Sequence, residues 1–171
     1  MKPNVRPKQI LSQLYAQGNT CTTSRALYTY KGHLSIKERN GQSQLEYLIR
    51  LLKERSWIHS HKININGNIT NIFFSHPASI EFDHINHHVI LIDATYRTCK
   101  YSLQLFHMVG QTATGHTFSL AFCYMEWEND NVYIWALQEL KMLFQPPRIP
   151  KVIITDREPA LKMAIELVFP S

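Results

Sequence analysis

The stretch Val89-Ile90-Leu91-Ile92-Asp93-Ala94-Thr95 decides how the chain is read. Aliphatic and β-branched residues follow one another with a single carboxylate set among them, the pattern of a buried central strand. Downstream, Tyr101 to Gly110 and His116 to Met125 are two further strand-like runs joined by Thr112-Ala113-Thr114-Gly115, a hairpin connection. Together the three predict an antiparallel meander. After the capping residues Asn129-Asp130-Asn131, Tyr133, Ala136, Leu137, Leu140 and Phe144 recur at helical spacing until Pro146-Pro147. Val152-Ile153-Ile154-Thr155 then reads as a short strand ending at Asp156, and Pro159 opens a helix whose Leu161, Ala164, Ile165 and Val168 face inward. The order strand, strand, strand, helix, strand, helix predicts an α/β fold. Its fourth strand returns parallel to the first by a right-handed crossover.

Upstream the pattern is looser. Lys8 to Ala16 reads as a short helix ended by Gly18. Thr20 to Asn40 interleaves Arg25, Lys31, Lys37 and Arg39 with Tyr28 and Tyr30, a mixture suited to phosphate contacts with stacking and equally to a helix or loop of no special role. Ser43 and Glu46 form a capping box at the head of a helix from about Gln44 to Arg55. Trp57 to Phe74 alternates around Asn66-Gly67 and predicts a hairpin, whereas Pro77 to Asn86 shows no clear period. The organisation expected is therefore a basic segment, residues 1–80, of helices and a hairpin, followed by an α/β domain over residues 81–171.

Charge separates the same two parts. Residues 1–80 hold eleven Lys and Arg against three Glu, net +8, while residues 81–171 hold seven against ten acids, net −3. A basic front of this kind is a footprint of polyanion binding, through release of counterions condensed on phosphates, and also fits an ordinary solvated surface. The 171 residues, 44% apolar, suffice for one core of ordinary size. The longest aliphatic run, Val89 to Ile92, falls far short of the roughly 20 residues a bilayer demands, and no apolar segment of a secretory signal follows the charged N-terminus. An intracellular protein with no membrane partner is expected. Cys21, Cys99 and Cys123 are far apart and lack paired Cys/His spacing, which argues for free thiols and against a zinc site.

If the fourth strand lies beside the first, Asp93 and Asp156 become neighbours. Two carboxylates held close in a partly buried site repel unless a cation compensates, and Mg²⁺, which takes one or two carboxylates and keeps its waters, suits that arrangement. The alternative for Asp156 is a helix cap or turn former ahead of Arg157-Glu158-Pro159. Asp93 resists such a reading, because it interrupts the most apolar strand.

Asp93-Ala94-Thr95-Tyr96, continuing to Lys100-Tyr101, resembles the opening of the Mutator-like element transposase domain, which is also found in plant far-red-response proteins derived from such transposases. Gly110, Phe118, Glu128, Tyr133, Trp135 and Leu137 follow in the family's order, as do Thr155-Asp156, Ala160-Leu161, Ala164-Ile165 and Val168-Phe169-Pro170. The resemblance covers roughly residues 80–171. It implies an RNase H-like fold and DNA strand cleavage and transfer by a D-D-E metal triad, with Asp93 and Asp156 as the first two acids and Mg²⁺ or Mn²⁺ as cofactor. It further implies transposon-end DNA as partner, a nuclear location and a homo-oligomer as the state of assembly. Cys99 stands where the family often has Asn, and the third acid and Cys/His motif expected after the Phe-Pro block do not appear within these residues. Glu158 and Glu166 lie on the helix directly after Asp156 and are poor substitutes. This chain by itself is therefore expected not to cleave DNA, and apolar surface at Ala164, Ile165 and Val168 is expected to lie open.

Three further readings compete. A domesticated or degenerate derivative would bind DNA or partners without catalysis, although such a module has no need of both aspartates. A different RNase H-like nuclease would share the carboxylates. Ile92-Asp93-Ala94-Thr95 also suggests an aspartic protease loop, but the glycine that lets that loop turn is missing. His84, His87 and His88 read as polar residues leading into a strand rather than ligands, and Tyr133 and Trp135 as packing rather than stacking residues.

Overall fold

The computed structural model describes residues 7–18, 23–95, 103–127, 129–144, 146 and 148–170. Its elements are α1 (Pro7–Ala16), α2 (Ser24–Arg39), α3 (Gln44–Glu54), β1 (Ile58–Ile63), β2 (Ile69–Ser75), α4 (Pro77–Asn86), β3 (Val89–Thr95), β4 (Gln104–Gln111), β5 (Thr117–Met125), α5 (Asp130–Leu143), β6 (Val152–Thr155) and α6 (Pro159–Val168). Two compact units result, Met1–Tyr47 and Leu48–Ser171. The first holds α1 and α2; the second holds the whole sheet.

That sheet has six strands in the order β1-β2-β5-β4-β3-β6. β3, β4 and β5 form the expected antiparallel meander, and β6 returns parallel to β3 after α5. The hairpin of β1 and β2, anticipated around Asn66-Gly67, joins the same sheet because β2 pairs antiparallel with β5. The boundary expected near residue 80 thus falls between β2 and the rest of the sheet to which β2 is bonded. Gly67 and Gly115 both take positive φ, 78° and 82°, as their tight turns demand.

Alternation puts one face of the sheet against helices. Ile90, Ile92, Ala94, Phe106, Met108, Cys123, Met125 and Phe73 pack with Tyr133, Ala136, Leu137 and Leu140 of α5 and with Leu161, Ala164 and Val168 of α6 in one buried core. Ala164 and Val168 are 1% and 5% exposed, and Ile165 is packed against the same core. This corrects the expectation that they lie open: α5 covers them, and the exposed apolar residues of α6 are instead Met163 and Leu167. Lys141 ties the two helices together, donating to the Val168 carbonyl at 2.7 Å with its ammonium over the Phe169 ring.

The segment without a clear period, Pro77 to Asn86, is α4. The His76 ring accepts from the Ala78 amide at 3.1 Å and Pro77 occupies the first turn, so capping chemistry starts a helix that apolar spacing does not announce. Within the stretch Thr20 to Asn40, Ser24–Arg39 forms α2 in the same way, capped by Thr23, while residues 20–22 lie outside the described residues. The capping box heading α3 is present in both directions, Ser43 amide to Glu46 at 2.7 Å and Glu46 amide to Ser43 hydroxyl at 3.2 Å. Among the described residues no helix is long and apolar enough to cross a membrane.

Candidate metal centre

β3 and β6 run in parallel register, Ile90 opposite Ile153, Leu91 opposite Ile154 and Ile92 opposite Thr155. One position further along that register stand Asp93 and Asp156. The two aspartates therefore mark the same ends of neighbouring strands, as the crossover predicted. The reason is topological: α5 is long enough to carry the chain back over the sheet, and β3 has the free edge on which β6 can pair.

Their environment differs from expectation in one respect. Ile92 and Ala94 point into the helix-covered core, so alternation turns Asp93 to the other face, where it is exposed. Asp156 is exposed as well. The argument that burial forces a compensating cation accordingly falls away, and adjacency is what remains. The reading of Asp156 as a helix cap also loses its support. The N-cap of α6 is Glu158, which makes no side-chain cap bond, and Asp156 accepts instead from the Thr155 hydroxyl at 3.3 Å.

Glu158 is engaged elsewhere: the Tyr133 hydroxyl donates to it at 2.8 Å. Tyr133 is fully buried beside Phe106, with ring centroids 5.3 Å apart, so it acts as a core residue that fixes the segment following Asp156. Trp135 likewise packs, with the Lys62 ammonium 5.3 Å from its ring centre. Among the described residues no group of three His, Cys, Asp or Glu is placed to hold a metal ion together, which includes His84, His87 and His88. The two aspartates offer hard carboxylate donors, of the type that Mg²⁺ or Mn²⁺ would take with waters as the remaining ligands.

One neighbour was not foreseen. His107 lies directly across from Asp93, Phe122 across from His107, Phe74 across from Phe122 and His59 across from Phe74. A single transverse row of side chains therefore leads over the sheet to Asp93. His107 is stacked on Phe122 at 4.6 Å with the planes 6° apart, and Phe122 on Phe74 at 5.3 Å. Ring faces are spent on one another, so the row is packing rather than a platform for bases. The His107 Nε2 lies 3.0 Å from the Ser119 hydroxyl. Burial lowers the proton affinity of His107, and the Asp93 charge opposes that shift. In the sequence, only the alternating position of His107 in a strand hinted at this, because partners across a sheet depend on register.

The basic residues singled out in the front segment are less concentrated. Arg25 and Lys37 are exposed and Arg39 is partly so, while the side chain of Lys31 lies outside the described residues. At roughly 100° per residue, Arg25 and Arg39 fall about 40° apart around α2, and Lys37 about 120° from Arg25. Tyr96, Lys100, Tyr101 and Glu128 of the motif, and the thiols of Cys21 and Cys99, also lie outside the described residues. Cys123 is a buried free thiol.

Residues 89–171 match the family model of the MULE transposase domain. This segment belongs to that family. Three relatives match over more of the chain than the family model does. Protein FAR1-RELATED SEQUENCE 6 of Arabidopsis thaliana is 27% identical over 138 residues, covering 80% of this chain and 19% of the relative. Protein FAR-RED IMPAIRED RESPONSE 1 of the same plant is 24% identical over 141 residues, covering 81% and 17%. A protein of Chaetomium globosum named PKS-NRPS hybrid synthetase cheA is 26% identical over 175 residues, covering 98% of this chain and 4% of its own length. The chain thus spans less than one fifth of each of these relatives. The MULE segment begins at the first residue of β3 and contains both aspartates, whereas the β1–β2 hairpin that completes the sheet precedes it.

Proposed function

We propose that this chain is part of a DNA transposase whose RNase H-like domain carries Asp93 and Asp156 as the first two acids of a D-D-E triad. The observation that carries the reading is the parallel register of β3 and β6, which sets the two carboxylates at the same ends of adjacent strands. Membership of the MULE family supports it, as does the strand order β5-β4-β3-β6. Asp93 and Asp156 hold Mg²⁺ or Mn²⁺, and such ions supply a polarised water or 3′-hydroxyl and stabilise the leaving oxygen of a phosphoryl displacement. The protein's own share is to fix the two carboxylates: β-sheet pairing places Asp93, and Tyr133, through Glu158, steadies the segment around Asp156. Transposon-end DNA is the partner, with the basic front residues Arg25, Lys31, Lys37 and Arg39 supplying phosphate contacts, in a homo-oligomer located in the nucleus.

Calorimetric titration of the chain with Mn²⁺ tests the site. Weak binding is expected, and Asp93→Asn or Asp156→Asn should each lower the affinity severalfold, about one charge-assisted ligand's worth. Equal affinity in all three proteins would sink the assignment. A second reading, a transposase-derived regulator that binds DNA without catalysis, is favoured by the far-red-response relatives. Incubation with Mn²⁺ and a labelled terminal-repeat duplex separates the two: no cleavage is expected from this chain alone, since two acids leave one ion poorly fixed. Cleavage abolished by Asp93→Ala would remove the regulator reading.

A further inference from the structure

We propose that the cavity between α4, α5 and the β1–β2 hairpin binds a small aliphatic amine, at a site separate from the metal centre because neither Asp93 nor Asp156 borders it. Its volume is about 320 Å³, at the small end of the range for organic ligands. Phe73 of β2, Ile80 of α4 and Met142 and Leu143 of α5 form apolar walls, to which α4 adds His84 and α5 adds Glu139. A few polar groups set in an apolar lining are the make-up of a small-molecule site. His59 also borders the cavity, but its Nδ1 is already engaged, 3.0 Å from the Trp57 carbonyl.

Two observations set the chemistry of the ligand. The His84 Nε2 is buried with no hydrogen-bond partner among the described residues, a cost that a bound donor removes. Glu139 is committed on one oxygen only: the Ser60 hydroxyl donates to its Oε1 at 3.0 Å, and it makes no ion pair among the described residues. Lys62, whose charge and that of Glu139 both reach the buried Cys123 thiol, keeps its ammonium 5.3 Å from the Trp135 ring centre instead. The free carboxylate oxygen attracts a cation and repels an anion. No three of His, Cys, Asp and Glu among the described residues converge as metal ligands, so the cation is an organic one. A protonated amine carries N–H donors for Glu139 and for His84, whose neutral ring accepts at Nε2 when its proton is on Nδ1. Its alkyl body then covers Phe73, Ile80, Met142 and Leu143.

Titration of the full chain with n-hexylamine, followed by NMR shifts of its backbone amides, tests the site. Binding is expected, with 1-hexanol about tenfold weaker for want of the charge and hexanoate not binding. n-Butylamine should also be about tenfold weaker, since each methylene buried on the apolar walls is worth up to roughly fourfold. Glu139→Gln should weaken n-hexylamine about tenfold while leaving 1-hexanol unchanged, and His84→Phe should weaken the amine about threefold. Ile80→Trp, which fills the cavity, should remove binding of both compounds with the melting transition retained. No binding of n-hexylamine, equal binding of amine, alcohol and carboxylate, or wild-type amine affinity in Glu139→Gln each overturns the proposal. Tighter binding of Nα-acetyl-lysinamide than of n-hexylamine would overturn it in favour of a lysine side chain. Because the wild-type series alone compares the three head groups, the proposal is decided even if a variant fails to fold, and none of these outcomes bears on Asp93 and Asp156.

Discussion

Asp83 shows how little a single residue type reveals about its own setting. It sits on α4 at 1% exposure, one of its oxygens has no hydrogen-bond partner, and burial pushes its carboxyl up to about 6. Because the folded value lies above that of an unfolded aspartate, the folded chain binds the extra proton between about pH 4 and 6. The contribution of Asp83 to stability is therefore most favourable below that window and worsens as pH rises through it. Asp83→Asn should raise the unfolding free energy from urea denaturation at pH 7.5 by on the order of 1 kcal/mol and leave it nearly unchanged at pH 4. An equal effect at both pH values would mean that the carboxyl is not buried as a charge at pH 7.5. Asp93, by contrast, looked buried in the sequence and is not. Both cases have one cause: a carboxylate's burial is set by which way its Cβ points on the folded element, and a neighbouring apolar residue in the sequence points elsewhere.

At the level of elements, pairs of strands explain residues whose type looked arbitrary. Gly110 and Phe118 are cross-strand partners on β4 and β5, and the far end of the Phe118 ring lies over the glycine. A Cβ at residue 110 would collide with the tip of the Phe118 ring. Phe118 in turn packs on Phe82 of α4 with centroids 5.7 Å apart, which limits its retreat on that side. Gly110→Ala should cost about 1–3 kcal/mol in denaturant unfolding, the usual range for an overpacked core, and Phe118→Leu in the same chain should return part of it. Additive losses from the two changes would show that they do not share one space. Two bonds to the His88 carbonyl, from the amides of Lys151 and Val152 at 3.0 Å each, fix the starts of β3 and β6 together. α2 stood open between a helix and a loop, and only the strands and the helices α1, α3, α5 and α6 were legible from periodicity. α4 was not, because its start depends on a histidine cap and a proline rather than on a repeating apolar face.

For the molecule as a whole, the sheet rather than the charge marks where one unit ends. The basic front was expected to reach residue 80, yet β1 and β2 pair into the sheet, and Ser60 reaches α5 to donate to Glu139 at 3.0 Å. Deleting residues 1–42, which spares the capping box of α3, should leave the main melting transition in place. Deleting 1–80 should lower it steeply or abolish it, since β5 would lose its partner and Phe73 its place in the core. Equal melting of both truncated chains would show that the hairpin is dispensable. The sequence by itself determined the meander, the crossover helix and the two aspartates at strand ends, because local periodicity and a crossover long enough to reverse the chain leave few ways to arrange them. Only the tertiary structure decided that Asp93 faces the open side, that His107 stands opposite it and that the hairpin joins the same sheet. Those facts depend on register and on strand pairing between residues far apart in the chain, and the alternation within any one strand carries no record of its partner.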